Sequence, residues 1–489
     1  MLARLALVVS LSVGCASSKA PPVVDASGAS DAGDVATPKA AKATIGAKVF
    51  DESQVQSYYL TFSDEEYARL EDLQTLLLDP YTVNTDRYVQ AALRVGDTEL
   101  PNIGVRYKGN YSIWGCVDFA TGQRVKRVEP AFGNVDVCQR FSLKLDFNRF
   151  DDKSRLDGLK KLNLHAMAAD PSKTRERLGY SLFRDSGLLA SRAVHARVYI
   201  NGVYQGLFAA VEQVDGRFTA NRFPEDGDGN LYRDVWPTPD LDTSTVQEAL
   251  RTNDDPGVMD VSDFLAMRDA VAASTDADFA AKLAPFVDFD ELARYFVIDR
   301  AIANFDGPLA FYFGMGWGPF NANYYWYNTG GGRFTLIPWD FDKTFLYPEP
   351  NFWSDNAPNG NNIVPNWNVI TDGCQDYTCS FDAVVTYNGV ATSGSYGLKA
   401  IACDPFLDRL RALVYDRQQA MADAFLAGPF SESAVTAKLE AWRVQIADAI
   451  EDDPLVDSTQ WQDAVDDLRE TLPKLRANLA LMMSGLIKA

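Results

Sequence analysis

The chain has 489 residues, 47% of them hydrophobic and 12% aromatic, enough to bury a large core in one big domain or two closely packed lobes and too apolar for a disordered protein. Its formal charge of −21 argues against nucleic acid and anionic membrane surfaces as partners, because a binder of either needs a basic stripe to neutralise phosphates. The same acidity suits solubility, divalent cations or basic substrates.

At the start of the chain Arg4 supplies a positive charge, Leu5 to Val13 form an apolar run too short to span a bilayer, and Gly14 precedes Cys15. A small residue directly before a cysteine at the end of such a run resembles the lipobox of bacterial lipoprotein signals. That implies an exported protein in the cell envelope, at the outer membrane, periplasm or cell surface, touching membrane only through a lipid on Cys15. Ser12 stands where that pattern prefers Leu, so ordinary signal cleavage stays open. Residues 16–44 hold no aromatic, Leu, Ile or Met and cannot bury a core, which predicts a flexible tether over about 16–47 before a domain spanning 48–489.

From about residue 48 to 241 short apolar-alternating runs predict a β-rich part. Cys116 and Cys138 are expected to pair and close a loop, as suits an exported chain; among Cys374, Cys379 and Cys403 one stays free or pairs elsewhere. In the clearest strand, Arg140 to Phe147, the side chains of Phe141, Leu143, Leu145 and Phe147 point one way, so Lys144 faces away from the core. A helix is expected over Ser172 to Ser186, with Ser172 as cap and Glu176 in its first turns. Val194–Ile200 and Val203–Val211 flank Asn201-Gly202, which reads as a hairpin whose turn needs positive φ. The run Asp226-Gly-Asp-Gly-Asn230 lacks the distal Glu of a calcium loop and reads as a tight turn. His165 and His195 are expected to be hydrogen-bonded structural residues; with only these two, a His-rich zinc site and Cys-His catalysis are disfavoured.

From about 242 onward the period becomes helical, with helices expected near 261–272, 276–284, 288–304, 404–427, 432–451 and 457–486. A strand pair interrupts them at Asn323–Tyr327 and Arg333–Pro338. An insertion over 346–400, rich in Asn, Gly, Pro and aromatics, is longer than an ordinary connection and is expected to act as a lid.

The densest polar cluster lies between Asp299 and Asp342. Asp340 and Asp342 emerge at the end of a strand, where carboxylates at i and i+2 on an extended segment can share Mg²⁺ or Mn²⁺. Asp306 sits on a loop, because Gly307 and Pro308 stop the helix before it. A loop carboxylate, a second acidic pair and the amides Asn321 and Asn323 are the parts of a phosphoryl-transfer site: one group accepts the hydroxyl proton while the others hold the metal that bridges the phosphates. Asp299 and Asn304 also show a kinase-like spacing, but Asp299 is expected inside the helix as an ion-pair partner of Arg300.

Several segments together resemble the CotH kinase family, the spore-coat protein H type of atypical protein kinase. They are Gly104 to Ser112, similar to the family's Arg-Gly-Asn-Ser-Ser segment, the Lys144 strand, and Asn201 to Gly206 with Glu212-Gln-Val-Asp215. Gly229-Asn-Leu-Tyr232, Asn304-Phe-Asp306 and Trp339-Asp-Phe-Asp-Lys-Thr-Phe345 complete the set, which covers most of residues 100 to 345. The resemblance implies an α+β, kinase-like two-lobed fold, with a mainly β N-lobe (48–241) and a mainly helical C-lobe (242–489). It implies ATP with Mg²⁺ or Mn²⁺ as cofactors and serine residues of an envelope or coat protein as substrate. Asp306 would be the catalytic aspartate and Asp340 the metal ligand, with Asp342 and Asn323 as further metal or phosphate contacts. Lys144 would contact the phosphates, oriented by Glu212, and Arg106 and Lys108 would belong to the nucleotide-covering segment. Lys108 stands in place of the family's Arg, Tyr111 of the first Ser and Phe305 of a common Trp. A solvated Lys144, an edge-strand Glu212 and surface ion pairs for Arg106 and Lys108 are the alternatives at those positions. For the whole chain the alternative is a catalytically inactive kinase-like scaffold for envelope or coat assembly, and behind it an adhesin built on the 346–400 insertion.

Overall fold

The structure, a computed structural model, describes residues 44–79, 82–129, 135–304, 306–314, 317–329, 332–346 and 403–483, together with the strand backbone of 15–16, 376–387 and 390–399. Residues 1–14 and 17–43, which hold the expected signal and most of the expected tether, lie outside the described residues, as do Phe305 and residues 347–375 of the insertion with Cys374, whereas residues 44–47 at the end of that stretch are described.

Seven strands close a barrel: β1 Gln56–Thr61, β2 Val89–Val95, β3 Thr98–Lys108, β4 Ser142–Asp146, β5 Lys161–His165, β6 Ala193–Ile200 and β7 Val203–Glu212. Their order is β5-β7-β6-β1-β2-β3-β4, with β4 pairing back onto β5 and β6–β1 the parallel pair. Alternation on β4 is as expected, since Phe141, Leu143, Leu145 and Phe147 are buried in the barrel core. Asn201 and Gly202 have φ of 47° and 82°, the left-handed pair that a two-residue hairpin turn requires.

The second core fills the helical half and reaches the barrel through β7. Phe208 and Ala210 face the barrel interior, while Leu207, Ala209 and Val211 belong to the other core. Around it lie α1 Arg175–Asp185, α2 Gly216–Arg222, α3 Ser262–Ala273, α4 Phe279–Leu283, α5 Phe289–Ala301, α6 Pro405–Ala427, α7 Glu432–Glu451 and α8 Ser458–Met483. A small antiparallel sheet of β8 Leu231–Arg233, β9 Tyr324–Asn328 and β10 Phe334–Pro338 packs among them. The protein is therefore α+β, with a mainly β first half and a mainly helical second half.

Two helix ends differ from expectation. The first helix starts at Arg175 rather than near Ser172, because Asp170 takes the Arg175 amide at 2.8 Å and Ser172 is tied into the preceding turn through Asp170 at 2.6 Å. Helix α5 stops at Ala301, and Asn304 folds back so that its side-chain amide donates to Asp299 Oδ1 at 2.7 Å. Asp299 also pairs with Arg300 at 2.6 Å, so the expected ion pair forms, but it is fully buried rather than on a helix surface. A Cβ at position 307 would lie 2.3 Å from the Asn304 amide nitrogen, which explains glycine there.

Within the insertion, strand backbones Asp376–Tyr387 and Val390–Lys399 pair with each other, and the second pairs with Phe311–Gly314 just after Asp306. No helix among the described residues is long and apolar enough to cross a membrane. Cys116 and Cys138 are bonded, as expected, and Cys403 is also in a disulfide. With a separation of 22 residues, the Cys116–Cys138 link is expected to contribute about 3 kcal/mol by restricting the unfolded chain. Urea unfolding of Cys116→Ser/Cys138→Ser should show that loss.

Candidate functional site

The outer face of β3, β4 and β5 carries the first half of the site. Register places Arg106 opposite Lys144 and Lys144 opposite Asn163, with Lys108 opposite Ser142 one step along. Because side chains alternate, Arg106, Lys108, Lys144, Asn163 and His165 share this face, away from the barrel core. Lys144 Nζ donates to Gln213 Oε1 at 2.6 Å, and the Asn163 amide shares that acceptor at 3.2 Å. Burial, and then Arg106, Lys108, Lys161 and Arg233, push the Lys144 ammonium well below the ordinary lysine value.

At the end of the row Lys108 Nζ lies 2.5 Å from His165 Nε2, and His165 Nδ1 lies 2.6 Å from Glu176 Oε1 on the first turn of α1. The arrangement that satisfies all three groups has Lys108 donating to Nε2 and the Nδ1 proton donated to Glu176. Burial and Lys108 push the His165 imidazolium well below its ordinary pKa, so the ring is neutral. Burial brings Lys108 down to about 8 against the pull of Asp340 and Glu176, and raises Glu176 to about 8 against that of Lys108. Trp339 closes this corner, with the His165 ring edge-on at 5.8 Å and Lys108 5.2 Å above its face.

The second half comes from the loops after α5 and β10. The Asn323 side-chain amide donates to the Asp306 backbone carbonyl at 2.9 Å, and the Asn323 backbone carbonyl accepts from the Trp339 backbone amide at 2.9 Å. Asn323 thus joins the Asp306 loop to the strand end that precedes Asp340. Asp340 has φ of 59°, so it is not on the extended segment the sequence suggested; its backbone N–H donates to Tyr180 Oη at 3.1 Å, and this turn swings the carboxylate toward Glu176. A Cβ at position 179 would lie 2.8 Å from the Phe341 ring, so Gly179 lets this turn seat against α1. Asp306 pairs with Lys343 at 3.0 Å.

Both halves meet at one cavity of about 110 Å³, whose walls include Lys108, His165, Glu176, Asp340, Asp342 and Lys343. Ligand atoms of His165, Glu176 and Asp340 lie within 4.8 Å of one another. Burial and then Glu176 raise the Asp340 carboxyl, and burial and then Asp340 raise Asp342 well above the usual range, with Asp306 adding to both. Oxygen donors that crowd each other in this way are suited to a hard divalent cation, which relieves their repulsion.

The structure therefore brings Asp340, Asp342 and Lys108 into the wall of one cavity, while Asp306 and Asn323 stand beside it, Asp306 through its pair with Lys343, and the Lys144 row continues along the strand face outside the lining. Arg106 stands beside Lys144 and packs over the Tyr88 ring at 5.4 Å. Glu212 is the exception. It is buried between Arg192 and Arg222, with bonds of 2.7 and 2.6 Å, and the Lys144 partner is Gln213 instead. The reason is register: Lys144 lies opposite Asn163, Asn163 opposite Val211, and Glu212 is one residue further, so it points to the other face of the sheet. Sequence reasoning did not place Glu176 and His165 in the site. Glu176 looked sufficiently explained by a helix first turn, and His165 is hydrogen-bonded, as expected, but inside the cavity wall.

A solved structure titled "Shewanella oneidensis MR-1 Toxin Antitoxin System HipA, HipB and its operator DNA complex" aligns with 69% of this chain and 63% of that one, at 13% identity and a TM-score of 0.29, too low to carry an argument. Inner spore coat protein H of Bacillus subtilis (strain 168) is 26% identical over 237 residues, 45% of this chain and 61% of that protein, so the match spans less than two thirds of the relative. The family model described as CotH kinase protein matches residues 105–478, from within β3 into α8, and takes in every acid and cation that meets at the cavity. With that match over well more than half of its length, the chain belongs to the CotH kinase family.

Proposed function

We propose that this protein is an exported protein kinase that transfers the γ-phosphate of ATP to serine residues of an envelope or coat protein, using Mg²⁺ or Mn²⁺, and that it is anchored through a lipid on Cys15. The observation that supports it most is the meeting of Asp340, Asp342 and Glu176 with Lys108 at one cavity, with Asp306 held beside it through its ion pair with Lys343 in the cavity wall. The family and the coat-protein relative favour the same reading. A Cys116–Cys138 disulfide suits an oxidising compartment.

In this reading the serine hydroxyl forms the new O–P bond, ADP leaves, and the hydroxyl proton passes to Asp306. Lys343, 3.0 Å from Asp306, keeps that carboxylate oriented. Asp340, Asp342 and Glu176 would hold the divalent cation, which neutralises charge on the phosphates when bound. Lys108 and Lys144 would meet the phosphates as point charges. Protein kinases commonly join a strand lysine to a helix glutamate; here the helix residue is Glu176, and Lys108 reaches it through His165.

Purified protein with labelled ATP and Mn²⁺ should phosphorylate a serine-containing acceptor, in a chelator-sensitive way. ATP binding without transfer to any acceptor or to the protein itself would leave the scaffold reading in its place. Cation binding has its own readout. At a hundredfold excess over its dissociation constant a cation that binds only the folded state adds about 2.7 kcal/mol, seen as a melting temperature roughly a few degrees higher. Asp340→Asn should abolish that rise.

A further inference from the structure

A groove of about 1010 Å³ opens where the β4–β5 connection meets α2, beyond the end of the cation row that starts at Lys108. Arg149, Arg155, Lys160, Lys161, Arg217 and Arg251 line it. In a chain with 67 acidic and 46 basic residues, most buried or half-buried arginines elsewhere are paired with carboxylates. Among the described residues, Arg149, Arg155, Lys160 and Arg217 form no ion pair with an acid: Arg149 lies over the Tyr88 ring at 4.9 Å, and Arg155 donates to loop carbonyls at 2.8 and 2.6 Å. Lys160 is exposed. Three polar atoms of the walls, Arg217 Nε, Asp146 Oδ1 and Asn148 Oδ1, are buried without a hydrogen-bond partner. Such atoms are normally satisfied, so they mark where a ligand's own donors and acceptors belong.

We propose that this groove docks an acidic segment of a polypeptide partner. Its cations supply long-range attraction for scattered carboxylates, and its unpartnered oxygens accept from peptide N–H groups. Phe223 and Pro224 add apolar contact; of the four acids in the lining, Asp146 pairs with Lys161 at 3.8 Å, and Asp215, Glu225 and Asp228 oppose a continuous polyanion while leaving room for a chain whose charges are spaced. The partner is taken to be a protein, as in the kinase reading, and the acidic segment would hold a substrate on the enzyme beside the Lys144 row. Docking does not require transfer, so the two can fail separately.

The test uses the full chain and a short labelled peptide of alternating Glu and Ser, followed by fluorescence anisotropy. Saturable binding is expected, weakening steeply with salt, and at least about tenfold lower affinity in Lys160→Glu/Arg217→Glu. Lys160→Glu alone, at an exposed position, should show an intermediate loss, while ATP affinity with Mn²⁺ stays unchanged in both. Equal affinity for a Gln-for-Glu peptide, unchanged affinity in the variants, or tighter binding of inorganic tripolyphosphate would each overturn the proposal. Competition by ATP would overturn it too, by placing the groove inside the nucleotide cleft. Loss of transfer activity with peptide binding intact would strike the kinase reading and leave the docking groove standing.

Discussion

Asp306→Asn is expected to reduce phosphotransfer turnover by about 10²–10⁴-fold, the usual contribution of a positioned general base. The amide keeps an oxygen that can accept from Lys343, which stands 3.0 Å from the native carboxylate, and it leaves the Asn323 bond to the Asp306 backbone carbonyl untouched. ATP affinity should change little, because Lys108 and Lys144, the cations proposed to face the phosphates, lie on the strands and not on this loop. A single-turnover assay alongside nucleotide titration separates the two effects: a lower turnover with unchanged binding assigns Asp306 to the chemical step. Transfer at the native rate would remove Asp306 as the base.

Glu212→Gln is expected to produce the largest loss of stability, about 3–5 kcal/mol, because it leaves two buried or half-buried guanidinium groups facing a neutral amide. Burial opposes ionisation of Glu212, yet Arg222 and Arg192 outweigh it and hold the carboxyl at about 2. A depressed carboxyl pKa contributes stability that is fully present above the unfolded value near 4.5 and is lost as pH falls toward 2, an amount on the order of 3 kcal/mol. Native protein should therefore lose stability steeply between those two pH values, and the variant should show a much flatter dependence over the same range. Urea unfolding at a series of pH values reads both. The location explains why so much depends on one side chain: Glu212 ends β7, Arg222 lies on α2 and Arg192 precedes β6, so the cluster ties the barrel to the helical half.

Much of the architecture was legible because periodicity reports burial directly. The six helices expected after residue 242 all form, the last three over Pro405–Ala427, Glu432–Glu451 and Ser458–Met483, since an apolar stripe at helical spacing has few alternatives in water. The Asn201-Gly202 hairpin formed because few residues tolerate its two positive φ angles. Helix ends were less visible: Asp170 and Asn304 redirect the chain through side-chain bonds that no hydrophobic pattern reports.

The site divides in the same way. Asp306, Asp340 and Asp342 stood out as carboxylates in apolar surroundings next to helix and strand ends, a feature of composition and local order that sequence alone carries. Which residues touch was a different matter. Glu212 and Gln213 are neighbours in the chain, but the residue just past the end of β7, Gln213, takes Lys144, and Glu212 turns to the opposite face. The Lys108–His165–Glu176 chain joins a strand end, a second strand and a helix start; His165 and Glu176 were read as local structure because each has a sufficient local explanation. The sequence by itself determined the element types, the alternation that turns Lys144 outward and the acids available for chemistry, since these follow from burial of apolar side chains at fixed periods. Tertiary structure alone decided the partners, because strand register and the meeting of distant loops depend on the packing of the whole core, and a shift of a single residue exchanges one ion pair for another.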